Sequence, residues 1–105
     1  MKAVLDISDL EEMTKELLDL TPDGWTRSIY FDVSKLLEEV GEVAEALNKS
    51  KYTDEDVADE ITDVIVCCFV IALKRKIDLN RAMINKQEKR VKKLLKRFHD
   101  KECPK

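Results

Sequence analysis

The residues of this chain best suited to chemistry are carboxylates. Glu38, Glu39, Glu42 and Glu45 fall within eight residues, Asp56, Asp59, Glu60 and Asp63 fall within another eight, and 17 residues separate Glu42 from Glu60. At about 100° per residue, Glu38, Glu42 and Glu45 share the helix face opposite an apolar stripe, with Glu39 at the border. Asp56, Asp59, Glu60 and Asp63 share one face of a second helix. Donor sets made only of carboxylate oxygen suit hard cations such as Mg²⁺, Mn²⁺ or Ca²⁺. The sole histidine, His99, is far from both clusters in sequence, which argues against iron and zinc.

Either acidic face taken alone reads equally as a solvated helix surface. Two features favour a cation. Counting Glu55 with Asp59, eight acidic pairs stand three or four residues apart on these helices, each costing a few tenths of a kcal/mol, so roughly 2 to 4 kcal/mol in all. The second helix also becomes apolar on every side from Val64 onward, which predicts burial of the end that adjoins its acidic face. Few basic side chains lie nearby in sequence.

The elements that must carry these groups are helical. Ser8 and Glu11 have capping-box spacing and open a first helix over about 9–20, which "TPDG" (21–24) ends. The stripe Ile29, Val33, Leu36, Leu37, Val40, Val43, Ala44 and Leu47 predicts a helix over 29–49. Thr53, followed by Asp54, Glu55 and Asp56, caps a third helix to about 76, and Asp78 caps a fourth over 79–98. Gly41, inside the second helix, is either a tolerated defect or a place where another helix or a ligand comes close.

Composition agrees with this outline. Among 105 residues, 44% are hydrophobic and 39% charged, with two Gly and two Pro, so the chain is too apolar for disorder and too poor in turn formers for an all-β fold. The expectation is an all-α domain resembling a four-helix bundle, completed by oligomerisation because one core of this size is only just adequate. The whole of 1–105 reads as one domain, with 99–105 a frayed tail. Adjacent Cys67 and Cys68 inside an apolar run argue against a disulfide framework, and the longest apolar run, Val64 to Leu73, is half a membrane span. These features predict a cytoplasmic protein without a membrane partner.

Charge is unevenly placed. Residues 38–63 carry 2 basic and 10 acidic groups, whereas 74–105 carry 13 and 4. Lys86, Lys89, Arg90, Lys93 and Arg97 share one face of the fourth helix. A solvated face is the plain reading of that stripe, and phosphate binding beside a metal is the functional one. A sequence pI near 5.3 makes it a weak sign of nucleic-acid binding.

"EEVGE" at 38–42 and "EITD" at 60–63, set in "KLLEEVGEVAEAL", "DEITDVIV" and "KIDLNRAMINK", resemble the E-E-x-x-E and E-x-x-D signature of the MazG-like all-α nucleoside triphosphate pyrophosphatases. The resemblance spans roughly residues 33–90. It implies Mg²⁺-dependent cleavage of a nucleoside triphosphate between the α and β phosphates, Mn²⁺ serving as a substitute, in a homodimer or homotetramer. By position it makes Glu39, Glu42, Glu60 and Asp63 the metal ligands and Glu38 the carboxylate that orients or deprotonates water. Lys86 matches a family lysine that contacts phosphate; Arg90 and Lys93 on the same face are further substrate-binding candidates, and Trp25 or Tyr52 could stack on a base. The chain departs from the pattern after Lys86, where Arg90 stands in place of an asparagine, and at Cys67, where relatives often carry an aromatic. Phosphoribosyl-ATP pyrophosphohydrolase is the alternative enzyme, and a non-catalytic helical oligomerisation protein the alternative outside enzymes.

Overall fold

The computed structural model describes residues 3–99. It contains four α-helices, α1 (Ile7–Leu20), α2 (Ile29–Asn48), α3 (Asp54–Lys74) and α4 (Leu79–Leu94), with α4 running into a π-helical turn over Leu95–His99. No strand occurs among the described residues, so the expected all-α class holds. No described helix is long and apolar enough to cross a membrane. Cys103 and most of the expected tail lie outside the described residues.

Each helix begins where a short polar side chain can satisfy free backbone N–H groups. Thr53 and Asp78 accept from the amides of Asp56 and Arg81, as expected, and Ser28, which the sequence reading did not single out, accepts from the amide of Phe31. The first helix differs from expectation. Its capping box is Asp6 with Asp9 rather than Ser8 with Glu11, each carboxylate accepting from the other's amide at 2.9 Å. The spacing is the same, and starting earlier adds residues to the hydrogen-bonded ladder, so the longer helix wins.

The turns are equally local. After α1, a Cβ on Gly24 would come 2.6 Å from the Leu18 carbonyl oxygen, so this position accepts only glycine without a backbone shift. After α3, the Ile77 amide donates to the Ala72 carbonyl at 2.9 Å and the Lys76 amide to Leu73 at 3.2 Å, a complete Schellman turn. It places Lys76 in the left-handed region with φ 56°, a conformation that glycine would hold with less strain.

Helix α3 is the common neighbour, packing against α2 along one side and α1 along another. The hydrophobic side chains buried among the described residues are Leu18, Ala46, Phe69 and Ala72, all on these three helices. Asp32 and Lys74 form a buried ion pair where the start of α2 meets the end of α3. Helix α4 instead projects away, an open groove lying between it and Ile7 of α1.

The chain is consequently elongated, 60 × 39 × 33 Å with a radius of gyration of 17.7 Å, against about 13 Å for a compact domain of about 100 residues. Much of the expected core stripe is therefore open. Leu37 and Leu47 are each 66% exposed, Val33 and Val40 are also exposed, and Ile65 of α3 is 40% exposed despite its all-apolar surroundings. Burial of the whole segment after Val64 is not achieved within one chain, because no fourth helix covers that side. Gly41 faces open space, with nothing within 4 Å of where a Cβ would stand, so no close approach within the chain explains it.

Candidate metal centre

The hairpin geometry accounts for how two distant motifs meet. Glu42 stands six residues before the last residue of α2 and Glu60 six after the first of α3; Glu39 and Asp63 stand nine before and nine after. With the same rise along two antiparallel helices, these pairs fall at matching heights. Carboxylate oxygens of Glu38, Glu39 and Glu42 lie within 4.8 Å of one another, as do those of Glu39, Glu60 and Asp63. Glu39 belongs to both groups, so the five acids form one continuous cluster.

Glu39 is the deepest of them at 6% exposed. Its Oε1 accepts an ion pair from Lys35 at 3.2 Å, and Lys35 also reaches Glu38 at 3.5 Å. Lys35 answers the shortage of basic groups only in part, one ammonium against five carboxylates. The three- and four-residue spacing from Lys35 to the two glutamates was the signal for it in the sequence. Glu39 Oε2 and Glu60 Oε2 are buried and have no hydrogen-bond partner when the cluster is ionised. Stranded buried oxygen is costly, about 1 to 3 kcal/mol per group and more when charged, so these atoms require a proton or a cation.

The electrostatics agree. Glu42 is pushed from an ordinary 4.5 up to about 7, first because it shares a proton with Glu39 and then with Glu60, with their negative charges adding to the effect. Burial, followed by the charges of Glu39 and Glu60, raises Asp63. Burial and the Glu39 charge also raise the thiol of Cys67, one turn beyond Asp63, above its ordinary range. Glu45 behaves differently: Lys49 donates to it at 2.9 Å and holds it below the usual carboxylate range, which removes it from the cluster.

A carboxyl whose folded pKa exceeds its unfolded value binds extra protons in the fold, so stability falls as pH rises between the two values. For Glu42 that window is 4.5 to about 7. A divalent cation replaces the proton and the repulsion together. The rise in thermal midpoint caused by MgCl₂ should therefore be larger at pH 8 than at pH 6, measured by differential scanning fluorimetry; equal rises would remove Glu42 from the ligand set.

The donor set, oxygen throughout with two stranded buried atoms and excess negative charge, fits a hard divalent cation. A family model for the MazG nucleotide pyrophosphohydrolase domain matches residues 32–95, more than half of the chain and all five of these acids. The chain belongs to the MazG family. No match was found among curated proteins or among solved structures. Membership supports an activity of the nucleotide pyrophosphohydrolase type for this MazG domain.

The remaining expected site residues are dispersed. Lys86, Arg90 and Lys93 are exposed on α4, and Lys86 and Arg90 line a groove with Ala82, Met83, Asn85 and Lys89 of the same helix. Among the described residues, α4 does not pack its basic face against the helices that carry the carboxylates. Trp25 is half exposed in the turn after α1, its Nε1 donating to Asp19 at 2.7 Å. Tyr52 lies closer to the cluster, lining a polar cleft with Glu42, Glu45, Ala46 and Glu60. Sequence reading did not find the Asp32–Lys74 pair, whose partners are 42 residues apart at ends of different helices. Neither did it find the cavity between α1, α2 and α3 that Lys35, Phe31 and Cys67 line.

Proposed function

We propose that this protein is a Mg²⁺-dependent nucleotide pyrophosphohydrolase, cleaving a nucleoside triphosphate between the α and β phosphates to a monophosphate and pyrophosphate. The observation that carries this reading is the pair of buried, unpartnered oxygens of Glu39 and Glu60 inside a cluster of five carboxylates. Glu39, Glu42, Glu60 and Asp63 would hold the metal, with Mn²⁺ as a substitute. When bound, the ion supplies positive charge to the phosphate oxygens and orients them.

The chain's own residues supply the rest. Glu38, an exposed member of the first trio that Lys35 holds at 3.5 Å, would orient water and take its proton as the water oxygen joins the α phosphorus and the anhydride bond to pyrophosphate breaks. Lys35, which donates to Glu38 at 3.5 Å and forms an ion pair with Glu39 at 3.2 Å, fixes their carboxylates in place.

We also place Lys86, Arg90 and Lys93 in phosphate binding, delivered by a second copy of the chain in a homodimer or homotetramer. The exposed apolar stripes of α2 and α4 give such an assembly its driving force. Free Cys67 and Cys68 suit a reducing cytoplasm.

The test is direct. Purified protein with MgCl₂ should release pyrophosphate from at least one of the common ribo- or deoxyribonucleoside triphosphates, and EDTA should stop it. Release from phosphoribosyl-ATP alone would move the assignment to the alternative enzyme. No release from any of them, with no effect of Mg²⁺ on thermal stability, would reduce the chain to a non-catalytic helical protein.

A further inference from the structure

Along α2 the carboxylate cluster lies between two cationic ends. Lys35 stands one turn before Glu39 and is committed to it and to Glu38. One turn after Glu42 come Glu45 and Ala46, which with Glu42, Glu60 and Tyr52 line the polar cleft. The cleft thus shares two of the expected metal ligands with the cluster, and a phosphate chain that extends from the metal on this side enters it.

One wall of the cleft belongs to the connection between α2 and α3. The Tyr52 amide donates to the Lys49 carbonyl at 3.2 Å, and the next residue, Thr53, is fixed by reciprocal hydrogen bonds with Asp56 at 2.8 and 3.2 Å. Tyr52 is therefore pinned on both sides. Lys49 is committed to Glu45 at 2.9 Å, whereas Lys51 makes no ion pair among the described residues. Its Nζ stands over the Tyr52 ring instead, 5.3 Å from the centre. The charge of Lys51 also adds to that of Lys49 in lowering Glu45, so the ammonium lies on the cleft side of the loop. An ammonium held by a ring face has given none of its three donors to a carboxylate.

Charge then decides what Lys51 meets. With a cation on Glu42 and Glu60 and with Lys49 on Glu45, each acid that lines the cleft has a positive partner. Lys51 is left as a cation without an anion, on the same hairpin as the metal ligands, while the basic face of α4 does not pack against that hairpin. Of the two products of the reaction, pyrophosphate concentrates more negative charge on fewer atoms, so it is the end of the substrate that an ammonium attracts most.

We propose that Lys51 binds the departing end of the substrate, its β and γ phosphates, and that the Tyr52 ring is the platform that positions the ammonium beside the cleft. The inference rests on the pyrophosphohydrolase reading.

The test is isothermal titration calorimetry with inorganic pyrophosphate in MgCl₂. Lys51→Ala should weaken binding about tenfold, the worth of one charge-assisted hydrogen bond, and Lys51→Arg should restore most of it. Tyr52→Phe, which keeps the ring, should bind as the wild-type protein does, and Tyr52→Ala should lose severalfold. The rise in thermal midpoint caused by MgCl₂ alone should be the same in all four variants, which a distorted carboxylate site would not allow. Equal pyrophosphate binding by wild type and Lys51→Ala overturns the proposal, as does a loss that Lys51→Arg does not restore or that comes with loss of the Mg²⁺ shift. Tyr52→Phe as weak as Tyr52→Ala overturns the platform. A wild-type protein that releases pyrophosphate from nucleoside triphosphates without binding it overturns the assignment of Lys51 and leaves the pyrophosphohydrolase reading intact. One that neither binds nor releases it overturns that reading itself.

Discussion

Glu39→Gln will lower pyrophosphate release by about a thousandfold, since charge stabilisation by a bound metal amounts to several kcal/mol and each 1.4 kcal/mol is about tenfold in rate. The same substitution will raise the thermal midpoint of the metal-free protein. Glutamine keeps the shape of the side chain but removes a buried anion from among four other carboxylates, and its amide can donate to the stranded Glu60 Oε2. Addition of MgCl₂, which should stabilise the wild-type protein, will then have little effect on the variant. The two opposite changes distinguish a metal ligand from a structural residue, whose loss would lower the midpoint with or without metal. Scanning fluorimetry across a Mg²⁺ titration reads both, and a variant that is less stable than wild type without metal would count against the site.

Lys74→Met will have the largest effect on folding. Lys74 Nζ donates to Asp32 Oδ2 at 3.0 Å, to Oδ1 at 3.2 Å and to the Arg27 carbonyl at 3.3 Å, with side-chain exposures of only 12% for Lys74 and 5% for Asp32. Methionine fills the volume and leaves a buried carboxylate without its cation, which costs about 3 to 5 kcal/mol. Asp32 lies in the first turn of α2, where the helix dipole offsets part of that loss, so the lower end of the range applies. Against a total stability of about 5 to 15 kcal/mol, this is severe. Urea denaturation should show the midpoint falling, and Asp32→Leu combined with Lys74→Met should recover most of it, because replacing both partners by apolar groups is often close to neutral. A double variant as unstable as the single one would mean that the pair does more than neutralise itself.

Both predictions draw on features of unequal visibility in the sequence. Helix periodicity alone gave two acidic faces with Glu39 at the border of one, and it was the resemblance to the family signature that singled out Glu39, Glu42, Glu60 and Asp63. The mutual repulsion of those acids was visible too. The counter-ion Lys35 followed the same three- and four-residue spacing but went unweighted beside so many acids. Asp32 with Lys74 was invisible, since each sits at a helix end and only the packing of α2 on α3 brings them together.

The fourth helix shows the converse. Its cap at Asp78 and its basic and apolar faces were all written locally, yet where it lies depends on contacts that periodicity does not specify. Backbone chemistry at caps and turns is local, so the amino-acid sequence by itself determined four helices, their order and the acidic motifs they carry. Burial is collective. Only the tertiary structure decided that Glu39 is deep and stranded, that Glu45 is drawn off by Lys49, and that a largely apolar recess opens beside the carboxylates.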